Sequence, residues 1–586
     1  MSKSTIPIEE RATDQLAPAR SHLLASAMLI CLLPRVILVM MFSGLVLLDA
    51  VLPLKGLSFE SVLSSRLSGW ALLPSHLLFA HLATSRPLEP LRYPPAISLS
   101  WWETVLLPGV ILLMFLLYAL ALYTLPRIIH HRYLIYSTVL LGSVCLFFPV
   151  VTSSDVFSYI AYGRMEVIYH LNPLAAIPAV LHGDPVLGYV YWKDQPSAYG
   201  PTWVIITGFL QWLLGFTGSD GILRMLFTLR LLGLSAHLGS TLLIWSISGQ
   251  LQRITGVIAP EKRMRAALAF AWNPLLLFEA CVNAHNDAVL LFLILLTLWL
   301  LLRRPQMSLK WLLPAAVVLA LATCLKINIL IFLPGLLLFL WMQRRRKVLR
   351  LLFLSLVYSA VVILLYMPFW HHGAVLYVLS VNPSTSRVIN SPYDFLSQLY
   401  NALIHVPVHL NASGEAIATT VESFMHGLSI LLFVPVYAVL CWRATCRPWR
   451  INTIPGLIRW MVLVWLLYCA IGSPWFWPWY LVTFFGLYAL AASCTRKNYW
   501  GGLNIPLAVG LLAFSSLSLY SFYAWAPAHI PIQGLPGFFW VDLRGLWIWL
   551  FPFLALLWLP LCTLAKFPQL CRGFFTQRAR ASTFSR

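Results

Sequence analysis

Charge is scarce in this chain. Only 10% of its 586 residues are Asp, Glu, Lys or Arg, against about 25% in soluble domains, and that excludes an ordinary soluble protein. Acids are scarcer still, with 19 Asp and Glu against 40 Lys and Arg, a formal net charge of +21. The basic excess forms no single patch, so no nucleic-acid partner is expected. It lies in short clusters between apolar runs, the pattern that sets membrane orientation, and it attracts anionic lipid headgroups. The ten cysteines show no C-x-x-C pair. Cys31, Cys145, Cys281, Cys324, Cys441, Cys469 and Cys562 fall in or beside apolar segments and read as small buried hydrophobes, not a disulfide framework. No cleavable signal peptide is evident, because residues 1–20 are polar and the apolar stretch after them is too long for one. A P-loop, a G-x-G-x-x-G after a strand, an H-E-x-x-H and a haem motif are all missing. Chemistry fed by cytoplasmic nucleotide-sugar would need a soluble domain, and none is expected.

What is present is apolar: 60% of residues are hydrophobic and the mean hydropathy is +0.81. An all-α polytopic membrane protein follows, with roughly fourteen spans of about 20 residues. The basic clusters at 126–132, 261–265, 303–310, 343–350, 443–450 and 495–498, with the tail from Lys566, fall on one side. The positive-inside rule makes that side cytoplasmic, with both termini inside. One transmembrane domain is expected over 24–563, between a cytoplasmic tail (1–23) and a basic cytoplasmic tail (564–586). Its outer loops are 53–103, 152–222, 370–425 and 524–544. The apolar stretch 202–216 would invert every later loop if it crossed, so it reads as an interfacial or re-entrant helix. The 311–342 region needs a tight hairpin near Lys326. No internal repeat is visible, which weighs against a transporter.

The scarce acids gather at a few places. In "VVTSSDVFSYIAYGRME" (150–166) Ser153 or Ser154 can cap a helix whose first turn holds Asp155. Asp155, Tyr159, Tyr162 and Glu166 then share one face, as in an amphipathic helix on the outer membrane surface with its polar face toward water or a cleft. Asp155 as a plain helix cap remains an equal reading. "FEACVNAHNDAVL" (278–290) sets Glu279, Asn283, His285, Asn286 and Asp287 at the junction of two spans, with Glu279 inside one. An intramembrane carboxylate is costly and is a functional candidate by default, although a short polar turn also looks like this. Lys326 in "ATCLKINIL" needs an anionic partner, either a buried acid or a ligand phosphate. Arg224 and Arg230 lie at an outer span end. Trp475, Trp477, Trp479 and Tyr480 in "IGSPWFWPWYL" suit an interfacial aromatic belt as well as sugar stacking. His371, His372, Arg387, Tyr393 and Asp394 sit in a loop that could carry them routinely, and "NAS" at 411–413 is a formal glycosylation sequon.

In their order, "SSDVFSYIAYGRM…HLNPL" (153–174), "DP…W…QPSAYGP" (184–201) and "NPLLLFEACVNAHNDA" (273–288) resemble blocks of the polyprenol-phosphate-mannose-dependent α-1,6-mannopyranosyltransferases, in the GT-C superfamily. The resemblance implies a GT-C-type bundle of roughly 12–14 transmembrane helices with amphipathic juxtamembrane helices in the outer loops. It implies an inverting transfer of a hexose, mannose by resemblance alone, from a polyprenyl-phosphate donor to a glycolipid or polysaccharide acceptor at the outer face of the cell membrane. Asp155 takes the role of general base. Arg164, Arg224, Lys326 and His285 are the candidates for the phosphate. Tyr159, Asn172, Tyr199, Glu279, Asn283, Asn286, Asp287, Trp477 and Tyr480 are the candidates for the sugar and acceptor. No cofactor is obligatory, and the paired acids leave Mg²⁺ or Mn²⁺ open. Transport or flipping of lipid-linked saccharides is the rival from another class.

Overall fold

A computed structural model describes residues 32–52, 77–78, 101–150, 152–216, 221–303, 308–343, 346–405, 419–447, 449–494, 505–524 and 530–557. The terminal tails 1–23 and 564–586, nearly all of the 53–103 loop and the sequon at 411–413 lie outside them.

Among the described residues the regular structure is helical, apart from two isolated bridges. The helices are α1 (Leu32–Val51), α2 (Val105–Arg127), α3 (His131–Cys145), α4 (Asp155–Val167), α5 (Pro201–Gly215) and α6 (Ile222–Thr255). There follow α7 (Pro260–Ala271), α8 (Pro274–Val282), α9 (Asp287–Leu301), α10 (Leu309–Leu325), α11 (Ile327–Trp341) and α12 (Lys347–Phe369). The last are α13 (Pro392–Ile404), α14 (Thr420–Arg443), α15 (Ile454–Gly472), α16 (Pro478–Ser493), α17 (Ile505–Tyr523) and α18 (Trp540–Leu557). Eight of these are long and apolar enough to cross a membrane, or nine with the bent pair α7–α8, so the protein is an all-α, multi-pass membrane protein.

The count is lower than the fourteen that hydropathy suggests, and helix length explains the difference. Helices α3 and α9 have 15 residues each and α10 has 17. At 1.5 Å per residue they reach about 22–26 Å, short of a hydrocarbon core about 30 Å thick. The 202–216 stretch, expected as an interfacial or re-entrant helix, forms the short helix α5.

Two joints position the site. Helices α7 and α8 bend by 45° where Asn273 accepts the Leu275 amide at 3.0 Å and Pro274 opens the new helix, an arrangement that suits a helix start. Helix α8 then ends in a π turn over Phe278–Val282; such turns cluster at functional sites. At one end of this pair Glu261 meets Arg127 and Arg265, gathering two of the basic clusters. The acidic turn 283–287 lies at the other. Arg230, fully buried, staples the second joint by donating to the carbonyls of Val282 (2.9 Å), Leu146 (2.8 Å) and Phe148 (2.6 Å). It is thereby committed to the ends of α3 and α8.

Helix α4 departs from the surface helix expected of it. Every residue from Asp155 to Met165 is buried. A Cβ on Gly163 would come within 2.7 Å of the Thr207 carbonyl oxygen, so the backbones of α4 and α5 touch where only glycine fits. The apolar face that hydropathy assigns to lipid is covered by protein instead. Lipid-facing surface lies elsewhere, on α12 and α14, of which almost nothing is buried.

Candidate active site

Stretches far apart in the sequence meet at one cavity of about 1300 Å³, among them the start of α4, the loop 192–200, the break at Lys326, the turn 473–480 and the end of α17. Its lining includes Asp155, Trp192, Tyr199, Lys326, Trp477 and Tyr480. Apolar residues of α12, Val362, Ile363 and Met367, line it as well.

Asp155 opens α4 and is 8% exposed. The Ser153 hydroxyl accepts its amide at 3.3 Å, while Ser154 makes no side-chain cap. Both carboxylate oxygens are held. The Tyr199 hydroxyl donates to Oδ2 at 3.1 Å and the Trp192 indole N–H donates to Oδ1 at 3.3 Å. Burial pushes the Asp155 carboxyl above its ordinary range; the Tyr199 and Trp192 donors and the Lys326 charge pull it only part of the way back.

The motif Tyr199-Gly200-Pro201 has a steric reason. The Gly200 amide donates to the Leu325 carbonyl at 3.2 Å, and a Cβ on Gly200 would collide with the neighbouring Cys324 carbonyl. Without a side chain there, the loop wedges against the end of α10, and Pro201 then opens α5. The same contact sets Lys326 beside the loop. Lys326 has extended backbone (φ −148°, ψ 114°), so α10 stops there. Its ammonium reaches Asp287 Oδ2 at 2.7 Å and lies 4.9 Å from the Tyr480 ring centroid.

A second layer backs the wall. The Tyr159 hydroxyl is 3.4 Å from both the Tyr199 hydroxyl and His285 Nδ1. His285 stacks on Trp479 with centroids 3.8 Å apart, lies 4.0 Å from Asp155 Oδ2, and has Nε2 3.6 Å from Glu279. Glu279 accepts from Tyr520 (2.8 Å) and Asn283 (2.9 Å), and Asn283 accepts from Thr152 (2.6 Å). Asn286 is 1% exposed, and neither atom of its side-chain amide has a partner among the described residues. Tyr159, Glu279, Asn283, His285 and Asn286 hold the wall and its charge without lining the cavity themselves, whereas Thr152, Trp479 and Tyr520 reach its surface.

Several sequence candidates land elsewhere. Arg164 is locked to Asp184 at 2.7 Å, with side chains 6% and 0% exposed, and is not part of the cavity lining. Burial raises the Asp184 carboxyl, but Arg164, the Val186 amide and Tyr169 outweigh it and hold it below the usual carboxylate range. Asn172 donates to the Phe369 carbonyl at 2.7 Å, tying its loop to the end of α12. Arg224 is exposed at the start of α6, also outside the lining. His285 is behind Trp479, too enclosed to meet a phosphate directly. Trp477 has Trp479 stacked on one side (4.9 Å, 5°) and Tyr523 also stacked against it (5.9 Å, 25°), so its ring is engaged within a column of aromatics. Among the described residues no three His, Cys, Asp or Glu side chains gather as a metal set.

Trp192, Tyr520, Tyr523 and Arg544 also face the cavity and escaped sequence reasoning. Arg544 pairs with Asp394 at 2.9 Å, across a sequence separation that no local pattern reveals. The 370–425 loop is likewise no ordinary surface loop. The Ile389 amide donates to the Pro474 carbonyl (2.9 Å) and the Phe476 amide donates to the Ile389 carbonyl (3.0 Å), and Asp394 is fully buried.

No curated protein and no solved structure matches the chain. Residues 64–343, just under half of it, match the profile of the MptA_B family, described as alpha-(1->6)-mannopyranosyltransferase, N-terminal domain. The matched stretch contains Asp155, Trp192, Tyr199, the 279–287 cluster and Lys326. Within a multi-pass membrane protein, residues 64–343 are thus similar to the N-terminal domain of the alpha-(1->6)-mannopyranosyltransferase family.

Proposed function

We propose that the protein is an inverting α-mannosyltransferase of GT-C type that takes mannose from a polyprenyl-phosphate donor at the outer membrane face. The observation that carries this reading is Asp155, a carboxylate held by two donors at the wall of a large cavity that apolar residues of α12 also line. A base suited to an alcohol thereby shares one chamber with a surface suited to an isoprenoid.

The step balances as follows. Asp155 takes the proton of the acceptor hydroxyl as that oxygen bonds to C1 of the mannose. The C1–O bond to phosphate breaks, its electron pair stays on the phosphate oxygen, and the singly charged diester leaves as a polyprenyl phosphate with a second charge. An α product formed with inversion requires a β-linked donor. Tyr199 and Trp192 orient the carboxylate. Lys326, beside Asp155, supplies positive potential near the departing phosphate. Glu279, Asn283, Asn286, Asp287, Tyr159 and His285 act from the layer behind, by fixing the wall. The acceptor is a lipid-linked glycan or polysaccharide arriving from the aqueous side.

The chemistry needs no metal in this reading. The Asp155 carboxylate is engaged by donors, Asp287 is engaged by Lys326, and a single phosphate can leave against side-chain cations.

The test is transfer from radiolabelled polyprenyl-phosphate-mannose in membranes carrying the protein. Wild type is expected to make a radiolabelled glycan with no ion gradient, and Asp155→Asn to make almost none. A folded Asp155→Asn variant that keeps near-wild-type turnover would sink the assignment. Uptake of saccharide without product would favour transport instead.

A further inference from the structure

The proposed reaction creates a charge for which sequence reasoning found too few partners. Of its four phosphate candidates, Arg164 is consumed by Asp184, Arg224 lies outside the cavity, and His285 is screened by Trp479. Among the described residues three cations line the chamber: Lys326, Arg387 and Arg544. Lys326 is bound to Asp287 at 2.7 Å and Arg544 to Asp394 at 2.9 Å. Arg387 makes no ion pair with any described residue. Glu422 at the start of α14 lies within charge range of it, but its carboxylate accepts the Thr419 amide at 2.8 Å.

The position of Arg387 is fixed by backbone. Two residues on, Ile389 forms its bridge with Trp475; Trp475 packs 6.1 Å from Trp192, and Trp192 donates to Asp155. The same stretch of wall carries Leu376, Leu379 and Val388, and α12 contributes Ile363 and Met367. An uncommitted guanidinium therefore borders an apolar surface in the chamber that holds the base. Leaving a cation unpaired in a half-buried setting is costly unless a ligand supplies the anion. Arg also has the planar fork that grips phosphate oxygens in pairs.

We propose that Arg387 is the docking residue for a phosphate carried on an apolar chain, the leaving group of the transfer. This rests on the reading given under Proposed function and adds to it a residue that lies beyond 64–343. The phosphate gains a full negative charge as the C1–O bond breaks, so the guanidinium binds the departing form more tightly than the intact diester. Its loss should therefore lower kcat more than it raises KM for the donor.

The experiment compares Arg387→Gln, Arg387→Lys and wild type in membranes, with Asp155→Asn alongside. Turnover of radiolabelled donor is read with farnesyl phosphate, farnesol or inorganic phosphate as inhibitor. For Arg387→Gln we expect kcat down by about 10²-fold, as for loss of one charge-stabilising donor, with partial recovery in Arg387→Lys. Wild type should be inhibited by farnesyl phosphate far better than by farnesol or inorganic phosphate, and Arg387→Gln should lose that preference. Retention of the farnesyl phosphate preference in an active Arg387→Gln overturns the proposal. Inhibition by inorganic phosphate as strong as by farnesyl phosphate overturns the lipid-borne source. If Arg387→Gln is inactive, Arg387→Lys decides: recovered turnover with restored preference supports docking, and recovered turnover without it overturns docking. If Asp155→Asn also transfers normally, the transferase reading itself fails, a result separate from any seen at Arg387.

Discussion

The indole N–H of Trp192 lies 3.3 Å from Oδ1 of Asp155, and the ring behind it rests against Trp475. The first prediction turns on that bond. Trp192→Phe keeps the ring and removes a donor that favours the charged carboxylate. The wild-type Asp155 carboxyl already stands above its usual value because it is buried, and the variant should stand higher. A base works only when deprotonated, so activity falls as pH drops through this value. The acid limb of kcat/KM should therefore lie above the ordinary carboxylate range in wild type and move further up in Trp192→Phe and Tyr199→Phe. A pH–rate profile in each variant checks this, and an unmoved limb would separate Trp192 from the base.

Gly200 should tolerate no side chain. In Gly200→Ala the new methyl meets the Cys324 carbonyl, and neither backbone can retreat without shifting Tyr199 or Lys326. We expect a loss of about 1–3 kcal/mol, typical of overpacking, and a larger proportional loss of turnover because both shifted groups line the chamber. Thermal unfolding and transfer, measured on one preparation, test both parts.

The Arg164–Asp184 pair predicts a structural defect with a pH signature. Asp184→Asn leaves a buried guanidinium uncompensated, a change that costs about 3–5 kcal/mol, whereas removing both charges together should cost less. The folded Asp184 carboxyl is depressed relative to its unfolded value. Its stabilising contribution is therefore complete above the unfolded carboxylate range and fades as pH falls through the folded value. Proteolysis of the 152–216 region should rise with that fall in wild type and be pH-independent over the same range in Asp184→Asn.

Chelation should leave transfer unchanged. With Asp155 held by Tyr199 and Trp192 and Asp287 held by Lys326, the reading above assigns no step to a divalent ion. Turnover in EDTA equal to that in added Mg²⁺ or Mn²⁺ is the expected outcome, and a loss restored by either ion would contradict it.

The parts legible in the sequence were those with a local cause. "TSSD" announces a helix start, and α4 begins at Asp155. An unneighboured lysine in an apolar run demands an anion, and Lys326 finds Asp287 only 39 residues away. The buried Glu279 sits among Asn283 and Tyr520, as a carboxylate at that depth must. Hydropathy fails where apolar surface faces protein and not lipid, because both look alike in composition. For that reason α4 looked like a surface helix, and short core helices looked like spans. Specific pairing fails for another reason: Arg164 and Asp184 are 20 residues apart, but both sit in polar stretches where nothing marks one as the partner of the other and Arg164 as lost to the phosphate. Nor does anything near Asp394 point to Arg544, 150 residues on. Trp477 shows the same limit, since its ring is stacked against Trp479 and Tyr523, and only the latter's distance along the chain hid it.

Almost no residue of α12 or α14 is fully buried, yet α12 lends apolar side chains to the cavity that holds Asp155. That part of its boundary is braced from outside by acyl chains. The bilayer is thus a building material of the cavity as well as its surroundings. Extraction into a thin or short-chained detergent micelle removes one buttress of the vault, leaving the carboxylate and its clasp intact but the room around them altered in shape.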